Sequence, residues 1–339
     1  MSVTDYVIRR VLIVIPLIIG LTLVVFLVSH LLPGDPVAAH LGQRSMENPE
    51  IVAAFREQWG LDQPLYVQYL AFLKNLAQGN LGVSIRTKDP VMSDLGRYFP
   101  ASVELAFTAV FFAVLIGIPL GIISAVRRNH PVDHGARVIS LLGVSSPVFW
   151  LALVGLYVFY LRLGWLPGPG RLDTGMAEPT HITGMFTVDS LITGNMPAFV
   201  SAVHHLFLPA LVLGLATAGL VTRMTRSSML EVLSSDYIRT ARAKGASEGR
   251  VIVQHALRNS MIPTVTVIGL ALADIMSGAV LTETIFAWPG IGRYAFQSTV
   301  SLDFPAIIGV TLLIAVVFAV ANLIVDITYV FLDPRLRTA

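Results

Sequence analysis

The sequence predicts an all-α, polytopic membrane protein with six transmembrane helices. Three observations carry that prediction. The first is composition: of 339 residues, 55% are hydrophobic and only 13% charged, and the mean hydropathy is +0.73. A soluble domain carries about 25% charged residues. The second is the recurrence of apolar stretches at 11–31, 101–126, 138–161, 206–222, 261–282 and 305–331. A hydrocarbon core about 30 Å thick is crossed by roughly 20 residues of helix, which five of these reach and the fourth nearly does. The third is the uneven placement of Lys and Arg. With six alternating spans and a cytoplasmic N-terminus, the inside segments 1–10, 127–137, 223–260 and 332–339 hold 14 of the 23 Lys and Arg, although they are half as long as the outside segments. The per-residue density is about threefold higher inside, as the positive-inside rule requires.

Taken in order, the chain opens with Arg9 and Arg10 before the run Val11 to Leu31. That run is too long for a signal-peptide core and reads as an uncleaved first span, 1–31 including its cytoplasmic lead. Residues 32–100 then form an external module. It starts with the turn cluster Pro33 to Val37 and holds two short amphipathic helices, Glu50 to Trp59 and Leu65 to Ala77, broken at Gly60 and Gly79. A boundary near residue 100 separates it from a five-helix core, 101–331. The second span carries Gly117, Pro119 and Gly121, the third Ser145, Ser146 and Pro147, the fourth Pro209, Gly214 and Gly219, and the fifth Gly269 and Gly278. Small residues let helices approach closely, and proline frees backbone groups that need a neighbour. The fourth span is short and continues past Arg223 as a helix leaving the membrane. Residues 162–205 read as an irregular outside loop. In Phe286 to Gly292, Trp288 suits the membrane interface and Pro289–Gly290 a turn. A cytoplasmic tail, 332–339, follows, with Pro334 ending the last helix.

The cytoplasmic loop 223–260 is the conspicuous feature. Asp236 is placed as a helix N-cap, with Tyr237, Thr240, Ala241 and Lys244 along one face of a short helix. Gly245 and Gly249 flank a break, and a second helical piece, Val251 to Ser260, runs up to Pro263. Such a helix, held between two spans, can plug into a partner and pass a push to the membrane segments. An ordinary loop made basic by topology has the same charge, so the sign alone does not indicate nucleic acid.

Chemistry-bearing residues are few. With no cysteine, disulfides, zinc–thiolate sites and thiol catalysis are excluded. The only lysines, Lys74, Lys88 and Lys244, do not follow a glycine, so no P-loop exists and any ATP-driven motor is another chain. Adjacent His204 and His205 point about 100° apart on a helix and make a poor metal pair. Polar groups within spans are costly and therefore functional candidates. Asp274, in the middle of the fifth span with Ser277 one turn on, is the clearest; it is either an acceptor for a cationic group such as a peptide amino terminus or a packing hydrogen bond. Asn322 and Asp326 in the sixth span, Glu104 in the second and Ser145 and Ser146 in the third complete the set.

The stretches DYIRTARAKGAS and HALRNSMIPTVTVIGL are similar to the coupling-loop signature of permeases of bacterial ABC importers, in the dipeptide/oligopeptide branch. So are RMTRSSMLEVL before the loop, LTETIFAWPGIGR after the fifth span, HLLPGDPV near the start and VDITYVFLDPRLR at the end. Where the generic loop begins Glu-Ala-Ala, this sequence has Arg239, Thr240 and Ala241, and Asn80 replaces an acid of the family pattern. The resemblance implies the type I ABC importer permease fold and a chain that is not itself an enzyme. It implies a homologous second permease, two ATP-binding subunits (or one bifunctional pair) that bind ATP and Mg, and an external peptide-binding protein. The coupling contact would fall on Asp236, Tyr237, Arg239, Thr240, Ala241, Arg242, Lys244 and Gly245, with no cofactor on this chain. Ser145, Ser146, Asp274, Ser277 and Asn322 remain the candidates for the pore. Two other readings stay open at this level. One is the same architecture carrying nickel, glutathione or another small ligand. The other is a proton-coupled secondary transporter using Asp274 and Asp326 as a relay.

Overall fold

A computed structural model describes residues 3–31 and 63–332. Helix α1 is Val3–Leu31, α2 is Leu65–Ala77 and α3 is Val91–Val126. Next come α4, Pro131–Ser145, and α5, Val148–Arg162, whose last seven residues wind in wide i→i+5 turns. Helix α6 is Phe186–Ile192, α7 Met196–Leu233 and α8 Asp236–Ala243. Helix α9, Glu248–Met276, has wide turns over Val251–Leu257. Helices α10, Val280–Ile285, α11, Ile291–Val300, and α12, Phe304–Leu332, complete the chain. Helices α3, α7, α9 and α12 are each long and apolar enough to cross a membrane. Helices α4 and α5 pass that test only together, because they are bent by 99° at Ser146–Pro147. Helix α1 carries the first predicted span. The turn at 33–37, the helix at 50–59 and the tail from 333 lie outside the described residues, whereas Leu65–Ala77 is the predicted helix.

Several predicted boundaries move. Helix α3 starts at Val91 and runs through Pro100, the predicted boundary. Helix α7 reaches back to Met196 and forward to Leu233, so the short fourth apolar stretch is the middle of a 38-residue helix. Helix α9 ends at Met276 rather than 282, and Pro263 lies inside it rather than at its start. A proline in a membrane helix is tolerated where neighbours satisfy the freed backbone.

The central seam joins α3 to α7. Gly117 and Gly121, one turn apart, face Val221 and Thr225. A Cβ on either glycine would come within 2.8 and 2.6 Å of the facing Cβ atoms. Across the seam, Leu105, Ala106, Ala109, Leu206, Ala210 and Leu213 form a buried cluster with Ile275 and Trp288. Water drives none of this association within the bilayer, so the closeness of the backbones, and the dispersion contact it allows, is what holds the pair.

At the end of the molecule far from α8, a polar network fixes the connections. The buried ion pair Arg171–Glu104 has Nη2 to Oε2 at 2.6 Å. Thr187 donates to the other Glu104 oxygen through its amide (2.7 Å) and hydroxyl (2.6 Å), and Arg171 lies 3.5 Å from the Phe186 ring centroid. Glu104 is thus spent inside the protein and is not a free pore group. Segment 162–205, expected to be irregular, contains α6 and the start of α7. Asp189 organises its turn by accepting from the amides of Ile182, Thr183 and Gly184 and from the Thr183 hydroxyl. Burial raises the Asp189 carboxyl, and these hydrogen bonds outweigh it, holding the group below the usual carboxylate range. Trp288 is 1% exposed, and its indole N–H donates to the Ala101 carbonyl at 2.8 Å. It is a core anchor, not the interface residue expected, because the loop around it folds back against α3. Two further ties close this end. The Ser84 hydroxyl donates to Asp303 at 2.5 Å, and the Ser102 hydroxyl donates to Glu283 at 2.8 Å.

Trp288→Ala should destabilise the detergent-purified protein by about 3–5 kcal/mol. Trp165→Ala, at a residue 65% exposed, should leave the unfolding midpoint close to the original; equal shifts would contradict the placement of Trp288. Because the Asp189 carboxyl is lowered on folding, its stabilisation is complete once the pH is above the ordinary carboxylate range and is lost as pH falls through and below that range. Asp189→Asn should therefore cost stability at pH 7 and flatten the acid limb of an unfolding curve.

Candidate coupling site

Eight residues of polar helix are too few to be stable alone in water. Helix α8, with the sequence DYIRTARA, is held by a set of local contacts. Ser235, in an extended conformation (φ −74°, ψ 154°), is its N-cap position. Asp236, the predicted cap, is instead the first helical residue, exposed and paired with Arg239. Ile238, the one large aliphatic residue of the helix, is fully buried. It sits among Ala125 of α3, Met229 of α7 and Val251 and Ala256 of α9. The helix closes on Gly245, with φ +80°. The Ala246 amide donates to Ala241 O (3.2 Å) and the Gly245 amide to Arg242 O (2.9 Å), the glycine-dependent double bond that ends many helices. Across that turn Arg242 makes a two-pronged contact with Glu248, at 2.7 and 3.3 Å. The Glu248 carboxylate holds the Arg242 guanidinium above its ordinary value. Finally, the Asn259 amide donates to the Tyr237 hydroxyl at 2.8 Å.

The inward face is therefore Ile238 and, half-buried, Ala241. The face expected from Tyr237, Thr240, Ala241 and Lys244 is largely outward. Asp236, Tyr237, Arg239, Thr240, Arg242, Lys244 and Gly245 are all exposed. The predicted contact residues are thus gathered on one solvent-facing helix and its closing turn, while Ile238, Glu248 and Asn259, which the sequence did not single out, hold it in place. Ile238 was legible as the only residue there with a large apolar area to hide. Glu248 and Asn259 were not, because their roles depend on the turn at Gly245 and on how α9 begins. That helix runs straight from Glu248 to Met276, with no break at Gly249, so about 40 Å of helix leads from the site along the fold.

A second polar knot braces the same end. Asp133 on α4 is buried and accepts from Ser124 of α3 (2.5 Å) and from Arg226 of α7 at 2.9 and 3.0 Å. Helix α4 is thereby tied to α3 and α7, two of the three helices that seat Ile238.

The pore candidates are dispersed within a single chain. Ser145 is exposed and Ser146 half-buried at the α4/α5 bend. Ser146 lines a groove with Ile116, Trp150 and Leu215 that includes none of the other candidates. Ser277 is half-buried and donates to the Ala273 carbonyl at 2.7 Å. Asp274 and Asn322 are exposed. His205 turns inward with Nδ1 2.9 Å from Ser201 O, whereas His204 faces out.

Residues 117–338 match the family described as binding-protein-dependent transport system inner membrane component, and residues 3–106 match its N-terminal companion. The chain belongs to this family. It is 49% identical over 94% of its length, and 93% of the relative's, to the probable D,D-dipeptide transport system permease protein DdpB of Escherichia coli K12. To the dipeptide transport system permease protein DppB of Alkalihalophilus pseudofirmus it is 44% identical, covering 98% and 99% of the two chains. To DppB of E. coli K12 it is 42% identical, over 98% of each. Among solved structures, an inward-facing MetNI methionine ABC transporter aligns with a TM-score of 0.51 at 16% identity, covering 71% of this chain and 97% of the other. That likeness establishes the type I ABC importer permease fold, in a multi-pass component of the inner membrane.

Ile238→Ala should undock α8. Limited proteolysis should then cut between residues 234 and 247 at least several-fold faster, while Ile238→Val should resist like the parent. Equal cleavage of all three would mean that Ile238 does not hold the helix.

Proposed function

We propose that this chain is a pore-forming permease subunit of an ATP-driven importer of dipeptides and oligopeptides. The observation that carries the reading is α8, a polar helix presented to solvent yet fastened to α3, α7 and α9. A surface helix with no partner needs no such fastening. Its relatives are named as dipeptide permeases, and peptide is the cargo carried over from them. The chain is non-catalytic. ATP and Mg are bound by two separate ATP-binding subunits, or one bifunctional pair, each of which receives a coupling helix in a surface cleft. A homologous second permease completes the pore, and an external binding protein delivers the peptide.

In this reading both termini and α8 are cytoplasmic, and segments 32–100 and 162–205 face outward, as the Lys and Arg distribution favours. The contact residues are Asp236, Tyr237, Arg239, Thr240, Ala241, Arg242, Lys244 and Gly245. Closure of the ATP-binding subunits drags α8. Because Ile238 and Asn259 couple α8 to α9, the movement enters the membrane along α9 rather than dissipating in a flexible loop. Hydrolysis then resets the pore. Ser145, Ser146 and Ser277 are assigned to the translocation path.

Two measurements test this. Gentle detergent extraction of a tagged chain should recover a second six-span permease and P-loop ATPases, identified by mass spectrometry. Recovery of the chain alone, or only as a homodimer, would overturn the reading. At Gly245 an added Cβ has nothing within 4 Å, so Gly245→Trp starts into open space, and the positive φ costs about 1–2 kcal/mol locally. The variant should insert and assemble normally but lower peptide uptake at least tenfold per ATP hydrolysed. Full coupling in that variant would remove the site from the contact.

A further inference from the structure

The packing of α9 on α12 places two unpartnered polar residues together at mid-membrane. A Cβ on Gly269 would collide with Val325, and Ala273 packs with Ala321 and Val317, so the helices run antiparallel and touch closely. Met276, the last residue of α9, packs on the same cluster as Val317. Helix α9 therefore stops level with Val317, about 20 Å along α12 from Phe304. The described apolar span of α12 is Phe304–Thr328, so α9 ends near its middle, and the chain continues from there through a three-residue turn into the short helix α10, Val280–Ile285.

In an antiparallel pair, the residues that directly follow two facing residues turn to the same side. Asp274 follows Ala273, and Asn322 follows Ala321. Both are exposed, and neither side chain has a hydrogen bond or ion pair among the described residues. Asp326, one turn further along α12, lies on that side too. The residues on the opposite side confirm the geometry: Leu272, Met276, Val316, Val320 and Ile324 line a purely apolar groove there. The helix pair is thus two-sided. A carboxylate at the bilayer centre is costly, so the apolar side belongs to lipid and the polar side to a wet path or a protein contact. From Asn259 to Met276 and from Phe304 to Leu332 there is no Lys or Arg. The countercharge for Asp274 must come from outside this pair.

We propose that Asp274 and Asn322 form a seat in the translocation path for a protonated amine, the free amino terminus of the peptide. This rests on the peptide-import reading above. The Asp274 carboxylate accepts from the ammonium, and the Asn322 side-chain carbonyl offers a second acceptor. An N-terminal ammonium stripped of water inside a membrane needs such acceptors, and a seat with one carboxylate holds it without trapping it.

The absence of cysteine makes the test direct. In the assembled, membrane-reconstituted transporter, Asp274→Cys, Asn322→Cys and Ile324→Cys are each exposed to membrane-impermeant methanethiosulfonates, one cationic and one anionic. Positions 274 and 322 should react and 324 should not. At Asn322→Cys the cationic reagent should react about tenfold or more faster than the anionic one, as expected beside a focused negative charge. That preference should vanish when Asp274→Asn is added. If 274 and 322 are as inert as 324, or if the preference survives Asp274→Asn, the seat does not exist and the polar side is a packed contact. Uptake supplies the second arm. Asp274→Asn should lower kcat/KM for a free-amine dipeptide about tenfold or more in a transporter that still assembles, while Asp274→Glu should stay within about threefold of the parent. Unchanged uptake in Asp274→Asn would overturn the proposal. If the parent transporter itself takes up no peptide, the import reading fails, whereas the charge preference of the reagents still reports on the seat.

Discussion

The burial of Ile238 is the contact on which the functional architecture depends. One aliphatic side chain, seated where the ends of α3, α7 and α9 converge, turns an eight-residue polar helix into a rigid projection. The hydrophobic gain of burying one isoleucine, about 1.5–3 kcal/mol, is enough to order a short helix only because the Gly245 turn and the Arg242–Glu248 pair reduce the freedom that must be lost. The same seat decides where a force on α8 goes. It is shared between three helices, and one of them, α9, continues without interruption toward the middle of the fold.

Much of this was legible in the residue order. Composition and the spacing of apolar stretches identify the class and the spans, since hydrocarbon imposes length and polarity so strictly. The long coupling motif marked the α8 contact residues as a group. What escaped was whatever depends on tertiary context. Trp288 has the composition of an interface residue, and only the folding back of its loop onto Ala101 makes it a core anchor. Asp236 looks like a cap, but Ser235, in an extended conformation, takes that position and Asp236 is the first helical residue. Glu104 reads as a costly polar group in a span; its partner, Arg171, lies 67 residues away, beyond the reach of any local pattern. The ends of α9 were misplaced in both directions because its polar start and its early stop are set by neighbours rather than by hydropathy.

The two ends of the molecule are held differently, and the contrast suits a transporter. Far from α8, buried carboxylates each take several donors: Glu104 from Arg171 and Thr187, Glu283 from Ser102 and the Arg293 amide. Such networks fix one arrangement and resist distortion. Near α8 the fastening is mainly apolar, with Asp133 as the polar brace. The α3/α7 seam joins these regions, with Gly117 and Gly121 letting the backbones close on Val221 and Thr225.

The contact of Gly269 with Val325 has one further consequence. A side chain seated directly on a facing glycine, as Val325 is on Gly269, keeps two helices from sliding past each other by a fraction of a turn, because packed surfaces of this kind have few alternative fits. If α9 is displaced, α12 is carried with it. On the reading proposed above, the amine seat would then travel whole from one side of the membrane barrier to the other. Cargo would be released because the seat changes which compartment it opens to, not because the seat is taken apart.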